Sequence, residues 1–146
     1  MATVTRERTV QAAPGKVWAL VSDPWRLPAW WPSVQRVEEA TELAWTKVLA
    51  SPKGKTVRAD YSLVESEPER RLVWRQEVEE SPFERILADS VTEIDLEPDG
   101  GATRVRLVSK MKLRGFARFG SLQLRRAAAR QLDSALDGIE TALGGS

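Results

Sequence analysis

The sequence contains no cysteine and no histidine. Disulfide bonds, thiol nucleophiles and imidazole bases are therefore excluded, as are zinc sites built from these ligands. Serine–histidine–aspartate and cysteine–histidine catalysis are excluded for the same reason. An enzyme of this composition would have to use carboxylates, lysine, arginine, hydroxyl groups or its single tyrosine. With no EF-hand pattern and no phosphate-cradling glycine loop either, we expect no metal site and no cofactor.

Long hydrophobic runs are also missing. No segment approaches the ~18 consecutive apolar residues of a membrane span, so we expect no integral membrane segment. Met1 to Arg8 leads directly into alternating polar sequence without the apolar core of a signal peptide, which favours a cytoplasmic protein. The length of 146 residues and the absence of repeats and linkers predict one domain covering residues 1–146.

Charge is nearly balanced overall, at +1, but it is unevenly distributed. Residues 60–99 contain thirteen acidic and four basic residues, whereas residues 104–130 contain nine basic residues and no acidic one. Either the two segments face each other or solvent, or the basic one forms a surface for nucleic acid or anionic lipid. The near-neutral net charge and the absence of a nucleic-acid-binding motif favour the first interpretation, so we expect no nucleic-acid partner.

The first part of the chain predicts one strand followed by two short helices. Thr3–Ala12 alternates polar and apolar residues, as strands do. Pro14 suits the first position of a helix, and apolar residues then recur at helical spacing as far as Ser22. Asp23 can cap a second helix, which the prolines that follow keep short.

The rest of the chain predicts a sheet and one long helix. After Pro32 the hydrophobic period becomes two, with strands at Val34–Ala40, Leu43–Leu49, Thr56–Ser66, Leu72–Glu79, Phe83–Leu96 and Ala102–Leu113. The turns between them are short, so successive strands should be antiparallel neighbours. The segment from Gly115 to Leu143 has no proline and carries one apolar stripe: Ala128, Leu132, Ala135, Ile139 and Leu143. The fold class is therefore α+β, with about seven curved antiparallel strands wrapped around a long C-terminal helix.

Alternation along the strands predicts which side chains point towards that helix. Charged positions are assigned to the outer face, and the residues between them to the inner face. The inward set is Leu43, Trp45, Ala59, Tyr61, Leu63, Leu72, Trp74, Gln76, Val78, Ile86, Ala88, Ser90, Thr92, Ile94, Val105, Leu107, Ser109 and Met111. Lys47 has the same parity as Leu43 and Trp45, which is at odds with an apolar inner face.

The segment from Ala13 to Asp23 resembles the opening of the START-like helix-grip superfamily, which includes polyketide cyclase/dehydrase and birch-pollen-allergen-like proteins. The tryptophan- and proline-rich segment from Leu27 to Pro32, the Ser81-Pro82-Phe83 turn and the long final helix are similar as well. This resemblance covers essentially the whole chain. It implies a deep cavity between the curled sheet and the long helix, gated by the short helices and nearby loops.

Aromatic residues are the first candidates for lining such a cavity. Trp18 lies on the apolar face of the first predicted helix, so we expect it to be part of the protein core. Trp30 and Trp31 are adjacent, so they cannot both point into a core from one helical face, and we expect at least one to face the cavity mouth or solvent. Phe116 and Phe119 lie three residues apart at the start of the long helix, where they could also border the mouth. Each of these aromatics could alternatively be ordinary core.

The predicted binding set combines inward aromatics with polar neighbours, which a small-molecule pocket requires. It comprises Trp30, Trp31, Trp45, Tyr61, Trp74, Gln76, Ser90, Phe116 and Phe119. The sequence favours binding or carriage of a hydrophobic, ring-containing small molecule by a monomer or homodimer. The alternatives are a polyketide cyclase, aromatase or dehydratase using the same cavity, and a protein- or membrane-interaction module. The absence of histidine and the few inward ionisable groups favour a binder, and no catalytic residue is assigned.

Overall fold

A computed structural model describes residues 2–51, 53–115 and 120–144. The chain begins with a strand and two short helices, which are separated by a 3-10 turn (Pro24–Arg26). Six more strands and a long helix follow. Their bounds are β1 Ala2–Val10, α1 Pro14–Val21, α2 Leu27–Trp30, β2 Val34–Glu38, β3 Ala44–Ala50, β4 Thr56–Glu67, β5 Arg71–Gln76, β6 Leu87–Asp99, β7 Ala102–Leu113 and α3 Ser121–Gly144. The predicted α+β helix-grip class is confirmed.

The seven strands form one antiparallel sheet in the order β1-β7-β6-β5-β4-β3-β2. Every strand after β1 pairs with its sequence neighbour, as the short turns predicted. The β6–β7 hairpin turns at Gly100 and Gly101, which both have positive φ, as tight hairpins require. β1 lies at one edge of the sheet and pairs with β7, so the first and last strands of the sequence are neighbours.

The short helices begin where the sequence chemistry predicted. Pro14 opens α1, and the Asp23 carboxylate accepts a hydrogen bond from the backbone N–H of Trp25 at 3.0 Å, which caps the 3-10 turn. Leu20 and Leu27 are buried, so both segments contribute to the core. The short helices therefore cover one end of the space between the sheet and α3.

The apolar stripe of α3 packs against β1, β7 and the short helices. Ala128, Leu132, Ala135 and Ile139 are buried, and Leu143 is half-buried near the helix end. Burial of this stripe holds the helix on the concave side of the sheet. In the part of the chain that the structure describes, no helix is both long and apolar enough to cross a membrane.

Ion pairs cover the outer face of the sheet. Arg71 on β5 reaches Asp95 on β6 at 2.8 Å, and Lys110 on β7 reaches Glu93 at the same distance. Arg104 and Arg106 on β7 also pair with acidic residues of neighbouring strands. The acidic segment and the first part of the basic segment thus face each other across the sheet.

Three inward assignments fail at or near the starts of strands. Leu43 is 68% exposed, because β3 begins one residue later and Leu43 lies in the preceding turn. Ile86 is exposed in a turn that replaces the predicted start of β6 at Phe83. An irregular pairing between Leu87 and Asp89 then shifts the alternation, so that Leu87 rather than Ala88 lines the interior. Alternation predicts faces only where the strand is regular.

Candidate functional site: a cavity under the long helix

A cavity of about 320 Å³ lies between the sheet and the first half of α3. Strands β3 to β7 supply its floor, and Leu124, Ala127, Ala128 and Gln131 of α3 supply its roof. Its other lining residues are Trp31, Lys47, Leu49, Tyr61, Gln76, Phe83, Leu87, Ser90, Thr92, Ser109 and Met111. The volume falls at the small end of known ligand pockets, which fits a compound of one or two rings. We call this space the central cavity.

Five aromatic rings form a continuous wall at one end of the central cavity. Trp74 is at its centre, with ring centroids 5.5 Å from Trp31, 5.8 Å from Trp45 and 6.3 Å from Trp30. Tyr61 stacks on Trp45, with an interplanar angle of 7°. Edge-to-face and offset contacts of this kind are favourable, so the rings of the wall stabilise one another.

Trp30 and Trp31 are both buried, and they reach the interior from different backbone conformations rather than from one helical face. Trp30 ends α2, whereas Trp31 follows it in an extended conformation, with φ −84° and ψ 130°. The change in backbone conformation turns the two side chains differently, and their rings meet edge to face at 5.4 Å. The two residues therefore do not share one helical face, as expected: Trp30 lies in the core, Trp31 lines the central cavity, and neither faces solvent.

The structure divides the predicted binding residues into three groups. Trp31, Tyr61, Gln76 and Ser90 line the central cavity. Trp45 and Trp74 instead line a groove of about 520 Å³ on the other side of the aromatic wall, and Trp30 lies in the core. Phe116 and Phe119 lie outside the described residues. Trp18, expected in the core, is half-buried and packs against it.

Lys47 was not among the predicted site residues, yet its side chain is 1% exposed and lines the central cavity. Its Nζ lies 4.1 Å from the ring centroid of Tyr61, 4.4 Å from that of Trp31 and 4.8 Å from that of Trp74. Aromatic faces at these distances stabilise a cation. Among the described residues, no carboxylate lies within ion-pair distance of Lys47.

Burial changes the proton affinity of both ionisable residues that line the cavity. It lowers the pKa of Lys47 to about 7, because the charged amine loses its hydration. It raises the pKa of Tyr61, because the phenolate would be desolvated. Near neutral pH the Lys47 amine therefore exists in both protonation states, and Tyr61 remains a neutral phenol.

Polar groups on the floor of the cavity are short of partners. The Tyr61 hydroxyl donates a long hydrogen bond of 3.5 Å to Gln76 Oε1, while Gln76 Nε2 is buried with no partner among the described residues. The hydroxyls of Ser90, Thr92 and Ser109 line the same space. An unpaired buried donor costs about 1–3 kcal/mol, so the Gln76 amide favours any occupant that accepts a hydrogen bond.

Four arginines surround a second opening that shares Leu124 and Ala127 with the central cavity. They are Arg85, Arg114, Arg126 and Arg130, and we call them the arginine cluster. Within the residues that the structure describes, none of the four forms an ion pair, in contrast to the arginines on the outer face of the sheet. The cavity therefore lies next to a cluster of positive charge that no acidic side chain among the described residues neutralises.

The sequence matches the model of the family of polyketide cyclase / dehydrase and lipid transport proteins over residues 1–144. The chain belongs to this family. Membership supports either binding of a hydrophobic ligand or a cyclase-type role. A search of curated protein sequences found no match.

Solved structures similar to this family member share its fold at low sequence identity. One is the di-domain ARO/CYC StfQ from the steffimycin biosynthetic pathway, with a TM-score of 0.80 and 13% identity. The match covers 99% of this chain but only 51% of StfQ, about half of that protein. A protein from Thermus thermophilus has a TM-score of 0.76 and 24% identity, with 99% of each chain covered. A START superfamily protein from Mycobacterium smegmatis has a TM-score of 0.77 and 11% identity over 98% of this chain and 97% of its own.

Proposed function

We propose that this protein binds or carries a hydrophobic, ring-containing small molecule in the central cavity. The observation that carries the proposal is a 320 Å³ space lined by Trp31, Tyr61 and Met111 on apolar sides and by a few polar groups on its floor. Ligand sites combine a mostly apolar surface with a small number of oriented polar groups. Family membership supports the same class of ligand.

The test fills the cavity without disturbing the sheet. Ser90 lines the cavity from β6, and a phenylalanine in its place would occupy the space. Val91 is the next residue on the same strand and does not line it, so Val91→Phe is the matched control. Binding of naphthamide, an uncharged two-ring compound, is measured by calorimetry, with thermal unfolding as a check on folding.

The wild type should bind naphthamide saturably with roughly micromolar affinity, which a largely buried small ligand can reach. Ser90→Phe should abolish this binding, and Val91→Phe should preserve it. Equal binding of naphthamide by a folded Ser90→Phe variant would contradict the proposal. Failure of the folded wild type to bind any two-ring probe, uncharged or charged, would contradict it as well.

A cyclase-type reaction in the same cavity is the second candidate, and Lys47 is the observation that favours it. A general base is most effective when its pKa lies near the working pH, and burial lowers the pKa of Lys47 to about 7. This candidate requires that Lys47→Met abolish turnover of a polyketide-like substrate while binding of an uncharged ring compound persists. Tyr61→Phe, which removes only a hydroxyl, would show whether the phenol takes part in proton transfer.

A further inference from the structure

Lys47 is the only residue with a formal charge among the described residues that line the central cavity. Its parity places it on the inner face of β3, opposite Ala59 of β4, whose small side chain leaves room for the amine to extend over the sheet. From there the amine reaches the rings of Trp31, Tyr61 and Trp74. The inner end of the pocket thus presents an amine that can carry a positive charge, and the described lining residues include no anion to pair with it.

A buried charge without a counter-ion is unfavourable, and aromatic faces offset only part of the lost hydration. The arrangement becomes favourable when an anion enters the cavity, because the attraction between opposite charges is strong where water is excluded. The Gln76 amide supplies a second donor beside Tyr61, since its Nε2 has no partner and its Oε1 already accepts from the phenol. Two donors, one of them cationic, match a group with two acceptor oxygens.

We propose that the ligand of the central cavity is a ring-containing acid whose carboxylate pairs with Lys47 and accepts a hydrogen bond from Gln76. The proposal rests on the proposed function and specifies its ligand class. The ring system would lie among Phe83, Leu87 and Met111, towards the roof formed by α3. The rings of the ligand would then contact apolar side chains, and its carboxylate would contact the amine and amide donors.

The arginine cluster gives this proposal independent support. Arg126 and Arg130 lie on α3 beside Ala127 and Ala128, which line the cavity, and both belong to the opening that shares lining residues with it. Uncompensated positive charge near an entrance raises the local concentration of anions and the rate at which they arrive. An uncharged ligand would gain nothing from this field.

The test compares two probes of the same size, naphthoate and naphthamide, which differ in charge. At about pH 6, where the Lys47 amine is mostly protonated, the wild type should bind naphthoate at least about tenfold more tightly, as expected for a hydrogen bond to a charged group. Lys47→Met should lose this preference and keep its affinity for naphthamide. Lys112→Met removes the same charge from an exposed side chain of β7 and should keep the preference.

Gln76→Leu adds a second variant that leaves Lys47 in place, and it should reduce the preference several-fold. Equal affinity of the wild type for the two probes would overturn the acid-binding proposal and leave the proposed function standing. A preference that survives in Lys47→Met would overturn it as well. If neither probe bound the folded wild type, the proposed function itself would fail, so the two failures are distinguishable.

Discussion

Gly138 of α3 lies directly against the backbone carbonyl of Trp30, so closely that a Cβ atom at this position would overlap it. The contact joins the C-terminal third of the long helix to the end of α2, where the aromatic wall begins. Neither side of the contact can move without disturbing its neighbours. Gly138 is part of the helix backbone, and the Trp30 carbonyl belongs to the peptide bond between two buried tryptophans. This close approach sets a lower limit on the distance between α3 and the end of α2.

Gly138→Ala should therefore destabilise the protein, although alanine is the better helix former by about 1 kcal/mol. Overpacking against a fixed backbone typically costs about 1–3 kcal/mol or more, so we expect a net loss of stability in urea unfolding. Gly144→Ala, at the open end of the same helix, is the control and should change the free energy of unfolding by less than about 0.5 kcal/mol. A gain in stability for Gly138→Ala would show that the helix can shift away from Trp30.

Leu132→Ala tests the packing of α3 on the sheet. Leu132 is fully buried, and truncating such a residue leaves a cavity that costs about 2–5 kcal/mol. Leu122→Ala makes the same change on the same helix at a side chain that is 60% exposed, and it should cost less than about 0.5 kcal/mol. Equal effects of the two variants in urea unfolding would contradict the observed orientation of the helix.

The regular parts of this fold were accessible from sequence because they follow from periodicity. The predicted bounds of β7, Ala102–Leu113, agree with the structure, and the stripe from Ala128 to Ile139 is buried as expected. Failures occur where the backbone leaves a regular conformation, as at Leu43 before β3 and Ile86 before β6. Alternation and helical spacing contain no information about such irregularities.

The site was only partly accessible for a different reason. Parity placed Tyr61, Gln76 and Ser90 on the inner face, and it placed Lys47 there too. The sequence contains the signal, but charged residues are generally exposed, so parity alone does not distinguish a buried lysine from an irregular strand. The aromatic residues that surround its amine come from three separate elements, and no sequence spacing indicates that they converge. A charged residue at an inward position of an otherwise apolar strand face is therefore a candidate site residue.

Lys47 should make the stability of the protein depend on pH. Its folded-state pKa is about 7 and its ordinary value is 10.5, so between these values the unfolded chain binds a proton that the folded chain lacks. The free energy of unfolding should therefore rise with pH across this window, by at most about 1.4 kcal/mol per pH unit. Urea unfolding at a series of pH values measures this slope.

Lys47→Met removes the group responsible and should be more stable than the wild type at and below neutral pH, with the advantage shrinking as pH rises towards 10.5. Lys112→Met, at an exposed position, should reproduce the wild-type slope. Parallel profiles for the wild type and Lys47→Met would mean that the amine keeps its ordinary pKa in the folded protein.

The protein should not bind nucleic acid tightly. On β7, Arg104, Arg106 and Lys110 are already paired with acidic side chains, which leaves less free positive charge than the sequence of the basic segment indicates. We expect no binding to duplex DNA tighter than about micromolar near physiological salt. Fluorescence anisotropy with labelled DNA measures this, and sub-micromolar binding that weakens with added salt would favour a nucleic-acid interface instead.

The arginine cluster should affect how fast an acidic ligand arrives rather than how long it stays. Arg126 and Arg130 lie beside the cavity and do not line it, so their charge acts at a distance. In stopped-flow measurements with naphthoate, the double variant Arg126→Gln/Arg130→Gln should lower the association rate several-fold at low salt and leave the dissociation rate unchanged. The difference should disappear at high salt, because mobile ions screen charges over about 3 Å at 1 M.

Arg36→Gln/Arg104→Gln makes the same change in net charge at ion-paired outer positions and should have little effect. A faster dissociation of naphthoate from the first variant would place these arginines in direct contact with the ligand, and an unchanged association rate would remove them from its path.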